Sequence, residues 1–240
     1  MARRGKKYLE VFQKVDRERT YTPEEAIEVV KEVSYANFDA TVELHIRTGL
    51  DPRRADQQIR GMIQLPNGLG KKIEVLVFAT PDVASTAEEA GADYVIMDDE
   101  GIQKIMDGWT DFDVAIAVPQ MMPKVGRLGR ILGPRGLMPN PKTGTMVPPD
   151  DLARAIKDSK AGQVEYRLDR TGNLHFPIGK ISFPTQDLLE NMATIMATLR
   201  RVRPPAINRA QYVRRVTLAP TMGPGVRVDP MEAYAMEASA

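Results

Sequence analysis

Two different strand styles share this chain, and their order constrains how it can be built. Over residues 38–48 apolar and polar residues alternate, with Val42, Leu44 and Ile46 on one face and Thr41, Glu43, His45 and Arg47 on the other. That alternation marks a strand with one face in water. Residues 73–79 are instead a nearly continuous apolar run, which suits a strand covered on both faces. An Ala-rich helix from Asp82, a strand at 94–96, a helix near 101–107 and a strand at 114–118 follow. Such alternation predicts a small parallel βαβ module.

On either side of this module the half-exposed style prevails. Thr22-Pro23-Glu24-Glu25 opens a helix with a capping box, and Ala26, Val29, Val30 and Val33 form its apolar stripe. A strand at 60–65 runs into the turn-rich stretch 66–70. Beyond a helix opened by Asp150-Asp151, strands at 164–167 and 174–178 read as a hairpin closed by Asp169-Arg170-Thr171-Gly172-Asn173. A helix after Phe183-Pro184-Thr185 carries Leu188, Leu189, Met192, Ile195, Met196 and Leu199, and strands near 212–218 and 226–228 close the series.

Charge follows the same division. The chain as a whole has net charge +1, yet residues 68–159 carry −4, the two flanks together +8, and the last twelve residues −3. With 240 residues, enough for two domains, the pattern predicts an α+β domain built from 1–67 and 160–228, interrupted by an inserted α/β domain at 68–159. Residues 229–240 are expected to be a disordered acidic tail.

Several chemistries are poorly served. The sequence has no cysteine, so thiol nucleophiles and cysteine-bound zinc are excluded and a reducing, cytoplasmic setting is expected. No apolar run reaches eighteen residues and the basic start lacks a signal-peptide core, so no membrane partner is expected. His45 and His175 stand far apart without a nucleophile motif nearby. The segment 125–145, VGRLGRILGPRGLMPNPKTGT, mixes five glycines with Arg127, Arg130, Arg135 and Lys142. Its glycines would let backbone amides approach phosphates, with the cations adding charge, but it reads first as a connection using Gly and Pro for turns, since neither G-x-G-x-x-G nor G-x-x-x-x-G-K-[ST] is present. Asp98-Asp99-Glu100 reads as a helix cap rather than a magnesium site.

The flanks offer a different chemistry. Arg3, Arg4, Lys6 and Lys7, then Arg53 and Arg54, Arg167 and Arg170, and Arg214 and Arg215 cluster as a surface for phosphates. Phe38, between Asn37 and Asp39, can stack on a base or, by its parity with Val42, enter the core. The loop Pro220-Thr221-Met222-Gly223-Pro224-Gly225 can present a hydroxyl, a thioether and bare backbone to a nucleic-acid groove.

Taken together, GLDPRRADQQIRG (49–61), LPNGLGK (65–71), EEAGADYV (88–95), LGRILGPRGLMPNPKTGT (128–145) and TMGPGVRV (221–228) closely resemble the bacterial ribosomal protein L-one family. The resemblance implies a split βαβ-type α+β domain from both termini, with an inserted Rossmann-like α/β domain. It implies a structural protein without catalytic activity or cofactor, acting as a monomer within the ribosome. Its partners would be large-subunit ribosomal RNA, the messenger RNA of its own operon, whose translation it would repress, and E-site transfer RNA, whose release the mobile stalk would aid. The implied RNA-facing positions are Asn37, Phe38, Thr41, His175, Lys180, Thr221, Met222 and Gly223, to which the basic flanks add Arg54 and Arg167.

Overall fold

The computed structural model describes residues 5–205 and 207–237, so Arg3 and Arg4 of the basic start lie outside the described residues. In chain order the strands are β1 (Thr41–Thr48), β2 (Arg60–Gln64), β3 (Val75–Phe78), β4 (Tyr94–Ile96), β5 (Val114–Ala117), β6 (Gln163–Arg167), β7 (Asn173–Lys180), β8 (Val213–Pro220) and β9 (Val226–Val228). They divide between two compact units, Met1–Gly70 with Val164–Ala240, and Lys71–Gln163. Both borders fall slightly later than the expected 67/68 and 159/160. Leu69 packs on the first unit's core, while Lys160 ends a helix of the second unit and pairs with Asp93 at 2.8 Å.

In the first unit the sheet order is β7-β1-β8-β9. β1 is antiparallel to both neighbours, so β7 and β8 run the same way with β1 between them, and the helix Thr185–Val202 crosses from one to the other. This is the split βαβ arrangement, and the fold class is the mixed one expected. The alternation in β1 works as the sequence implies: Val42, Leu44 and Ile46 are fully buried. They join Leu174, Phe176, Ile178, Val216 and Leu218, and are covered by Leu188, Met192, Ile195, Met196 and Leu199 of the long helix. Each such side chain contributes about 1.5–3 kcal/mol on burial.

The helix Pro23–Glu32 opens with the expected box: Glu25 N–H donates to Thr22 Oγ1 at 3.3 Å, and Thr22 N–H donates to the Glu25 carboxylate at 3.2 Å. Its buried face holds Ala26, Ile27 and Val30, with Ile27 taking the place the periodicity gave to Val29.

Two expectations need correction. β6 and β7 do not form a hairpin, because β6 pairs with β2 in a separate two-stranded sheet while β7 pairs with β1. The turn between them is real: Asp169 accepts from the Thr171 and Asn173 N–H groups at 2.8 and 2.7 Å. It redirects the chain from one sheet to the other, and Gly172 O accepts from Thr48 N–H at 2.9 Å, which sets β7 on β1. The part of the tail among the described residues, 229–237, also departs from the expected disorder, because it contains a helix. Asp229 accepts from Met231 N–H at 2.7 Å and caps the helix Pro230–Ala235. Ala233 and Tyr234 are buried in the core, and Arg200 donates to the Tyr234 and Met236 carbonyls at 2.8 and 2.6 Å.

The second unit is a parallel sheet in the order β4-β3-β5. All four residues of β3 are buried, as a strand covered on both faces requires. The helices Pro81–Glu89, Asp99–Met106 and Leu152–Lys160 accompany it. Asp98 caps its helix, accepting from Gly101 N–H at 3.0 Å, and among the described residues no group of acids and histidines could hold a metal ion. Nor, among them, is any helix long and apolar enough to cross a membrane.

Candidate nucleic-acid interface

Because β1 is antiparallel to both neighbours, its first residues meet the last residues of β7 and β8. Thr41 stands opposite Lys180, and Val42 opposite Pro220. Three segments remote in sequence, 35–41, 180–183 and 220–223, thereby reach one end of one sheet. A register shift between Val42 and Glu43 accompanies this pairing, and the extra residue in β7 turns Lys180 back toward β1.

Thr41 is the hub. Its N–H donates to Thr221 Oγ1 at 3.1 Å, its carbonyl accepts from Thr221 N–H at 2.9 Å, and its own hydroxyl oxygen accepts from Lys180 Nζ at 2.9 Å. Lys180 also reaches the Asp39 carbonyl at 3.4 Å, and the Asp39 carboxylate accepts from Ser182 Oγ at 2.7 Å. The Thr221 hydroxyl is therefore a clamp on β1 rather than the outward group the loop sequence implied. Backbone groups at the end of a strand would otherwise be left unpaired.

What faces outward is apolar and bare. Met222 is 67% exposed and Phe38 57% exposed, which removes the core alternative for Phe38. Met222 also holds φ 70°, and among the described residues it is the one non-glycine with positive φ. For an L-residue that region costs about 1–2 kcal/mol, and such strain collects where function demands a particular presentation. The Tyr35 hydroxyl donates to the Met222 carbonyl at 2.8 Å, and Gly223 N–H donates to Pro220 O at 3.0 Å. A Cβ on Gly223 would lie 2.5 Å from Pro220 Cγ, so the tight turn excludes any other residue. Asn37 is exposed beside Phe38.

The remaining sequence candidates are spread more widely. His175 lies on the solvent face of β7 opposite His45, with Nδ1 to Nδ1 at 2.9 Å, about 13 Å along β1 from Thr41 at 3.3 Å per residue. Arg54 and Arg167 are not brought into this cluster. Both stand toward the other end of β1, where Arg54 forms a two-point pair with Asp56 at 3.2 and 3.0 Å. Tyr35, Asp39 and Ser182 were missed; only the register, which sequence does not reveal, joins them to the loop.

The histidine pair gives a pH dependence. Burial, and then the neighbouring His175, hold His45 below its ordinary value of 6.5, with Glu43 opposing. The folded state thus resists a proton that the unfolded chain accepts, so stability is full above that value and falls as pH drops below it. We expect the melting temperature to decrease by a few degrees on acidification from neutral to mildly acid buffer, and His45→Gln to flatten that decrease; equal slopes for both proteins would refute it.

A family model described as "Ribosomal protein L1p/L10e family" matches residues 30–224. The chain is similar to the Large ribosomal subunit protein uL1 of Chloroflexus aggregans, with 56% identity over 229 residues, covering 95% of this chain and 96% of that protein.

Proposed function

Since the chain belongs to the Ribosomal protein L1p/L10e family, we propose that it is a structural, non-catalytic component of the large ribosomal subunit that binds ribosomal RNA through the domain formed by 1–67 and 160–228. The observation that carries the reading is the convergence of Phe38, Thr41, Lys180, Thr221, Met222 and Gly223 at one end of the four-stranded sheet. An exposed ring, an exposed thioether and a loop pinned from behind suit recognition of folded RNA by shape and stacking. His175 extends the surface across the sheet, and Asn37 borders it. Arg54 and Arg167 act at longer range, attracting phosphates rather than specifying sequence.

The finer roles follow from the family and belong to the same proposal. The bound protein forms the mobile stalk near the transfer RNA exit site in the cytoplasm and aids release of deacylated transfer RNA. The free protein binds its own operon messenger RNA through the same surface and represses its translation. The inserted domain, 68–159, is a body of its own, apart from the RNA-binding domain. Sedimentation of cell extracts in high salt tests the central claim: we expect the protein to travel with large subunits, where specific contacts survive the screening that removes loose ones. Recovery only in the soluble fraction would leave a free regulator instead.

A further inference from the structure

The inserted unit has a charge anomaly that the reading above leaves unused. No Asp or Glu occurs between Asp113 and Asp150, so all fourteen acids of 68–159 lie outside that stretch. The stretch itself carries Lys124, Arg127, Arg130, Arg135 and Lys142. Lys124 pairs with Asp99 at 2.9 Å; among the described residues the other four have no carboxylate within ion-pairing distance, and all four are exposed. An acidic body thus presents one unneutralised basic segment, which focuses attraction for a polyanion.

The backbone beneath these cations is bare without internal reason. Residues 119–132 form continuous helical turns. Gly126 and Gly129 have ordinary helical φ of −56° and −55°, and a Cβ at either would meet nothing within 4 Å. Neither sterics nor conformation calls for glycine there, and glycine weakens a helix. Gly136, by contrast, has φ +74° and is explained by its turn. Gly126, Gly129 and Arg130 share a helix face, with Arg127 at its margin and Arg135 in the turn that follows.

We propose that this segment is a second RNA contact, a seat for a ribose–phosphate backbone on the inserted unit, independent of the surface on the split unit. Guanidinium forks match phosphate oxygens. A Glu side chain on a protein partner could reach an arginine past a Cβ, whereas a broad, fixed phosphodiester backbone must itself approach the helix, which the two bare positions permit.

The full-length protein is titrated with a labelled mixed-sequence RNA duplex of about 20 base pairs across a range of salt, by fluorescence anisotropy. Arg127→Gln/Arg130→Gln/Arg135→Gln is expected to reduce the slope of log K against log salt by about two to three, at 0.7–0.9 per lost contact, with an unchanged melting temperature. Gly126→Ala/Gly129→Ala keeps every cation, and is expected to melt no lower than wild type while binding about threefold more weakly or worse, the cost of holding the backbone off the helix. The same differences should persist in a Met222→Asp background, which separates this contact from that of the split unit. Wild-type slope in the triple variant, wild-type affinity in the alanine variant, or loss of binding to labelled polyglutamate without loss for RNA overturns the proposal.

Discussion

Met222→Asp should lower affinity for large-subunit ribosomal RNA by about 100-fold or more, while the melting temperature changes by no more than a few degrees. The fold has little stake in this side chain, which is 67% exposed. Its φ of 70° also suits Asp better than Met, because short polar residues tolerate the left-handed region. The cost falls on the complex: a carboxylate pressed against phosphates and stripped of water carries a penalty of about 3 kcal/mol, which is more than a hundredfold in Kd. Filter binding of the purified protein at fixed salt, together with a melting curve, decides the matter. Affinity within about threefold of wild type would remove the 221–223 loop from the interface.

Asn191→Ala should have the opposite profile, a large loss of stability. Asn191 is fully buried in the helix Thr185–Val202. Its amide donates to the Ile178 carbonyl at 2.8 Å and the Gly68 carbonyl at 3.1 Å, and its carbonyl oxygen accepts from Asn67 N–H at 3.1 Å. One side chain thus ties the helix to β7 and to the turn at 66–70. Truncation leaves three backbone groups short of partners, at about 1–3 kcal/mol for each that water cannot reach. A total near 3 kcal/mol corresponds to a fall of about 6–12 °C. Asn191→Asp should be no better, since a carboxylate cannot donate to two carbonyls and adds a buried charge. A melting temperature for Asn191→Asp close to wild type would show that water replaces these bonds.

Features that depend on nearest neighbours were legible in the sequence. The capping box at Thr22 and Glu25, the alternation of β1 and the unbroken apolar β3 all follow from residues within one turn or one strand. The parity of Phe38 could not choose between core and solvent, because the chain bends before β1 begins at Thr41. The partner of β6 was misjudged because a short turn at 169–173 looks the same whether it folds a strand back on itself or hands it to another sheet. The tail's helix went unseen because Tyr234 and Ala233 find their contacts on the long helix and on Tyr212, which are distant in sequence. The site was legible as residue types and not as an arrangement. Thr41 and Thr221 meet across 180 positions, and nothing local indicates that one hydroxyl would be spent on the other's backbone.

The central position of β1 has a consequence for synthesis. This strand emerges early, yet both of its hydrogen-bonding edges must wait for β7 and β8, which begin at Asn173 and Val213. At roughly 5–20 residues per second, the open edges persist for about 6–25 s before the first partner is made. Meanwhile the α/β unit, contiguous in sequence, can close on its own. A chain that ends at Gly172 and has fully left the ribosome should therefore be protease-resistant only over Lys71–Gln163, with the amino-terminal segment still open to chaperones.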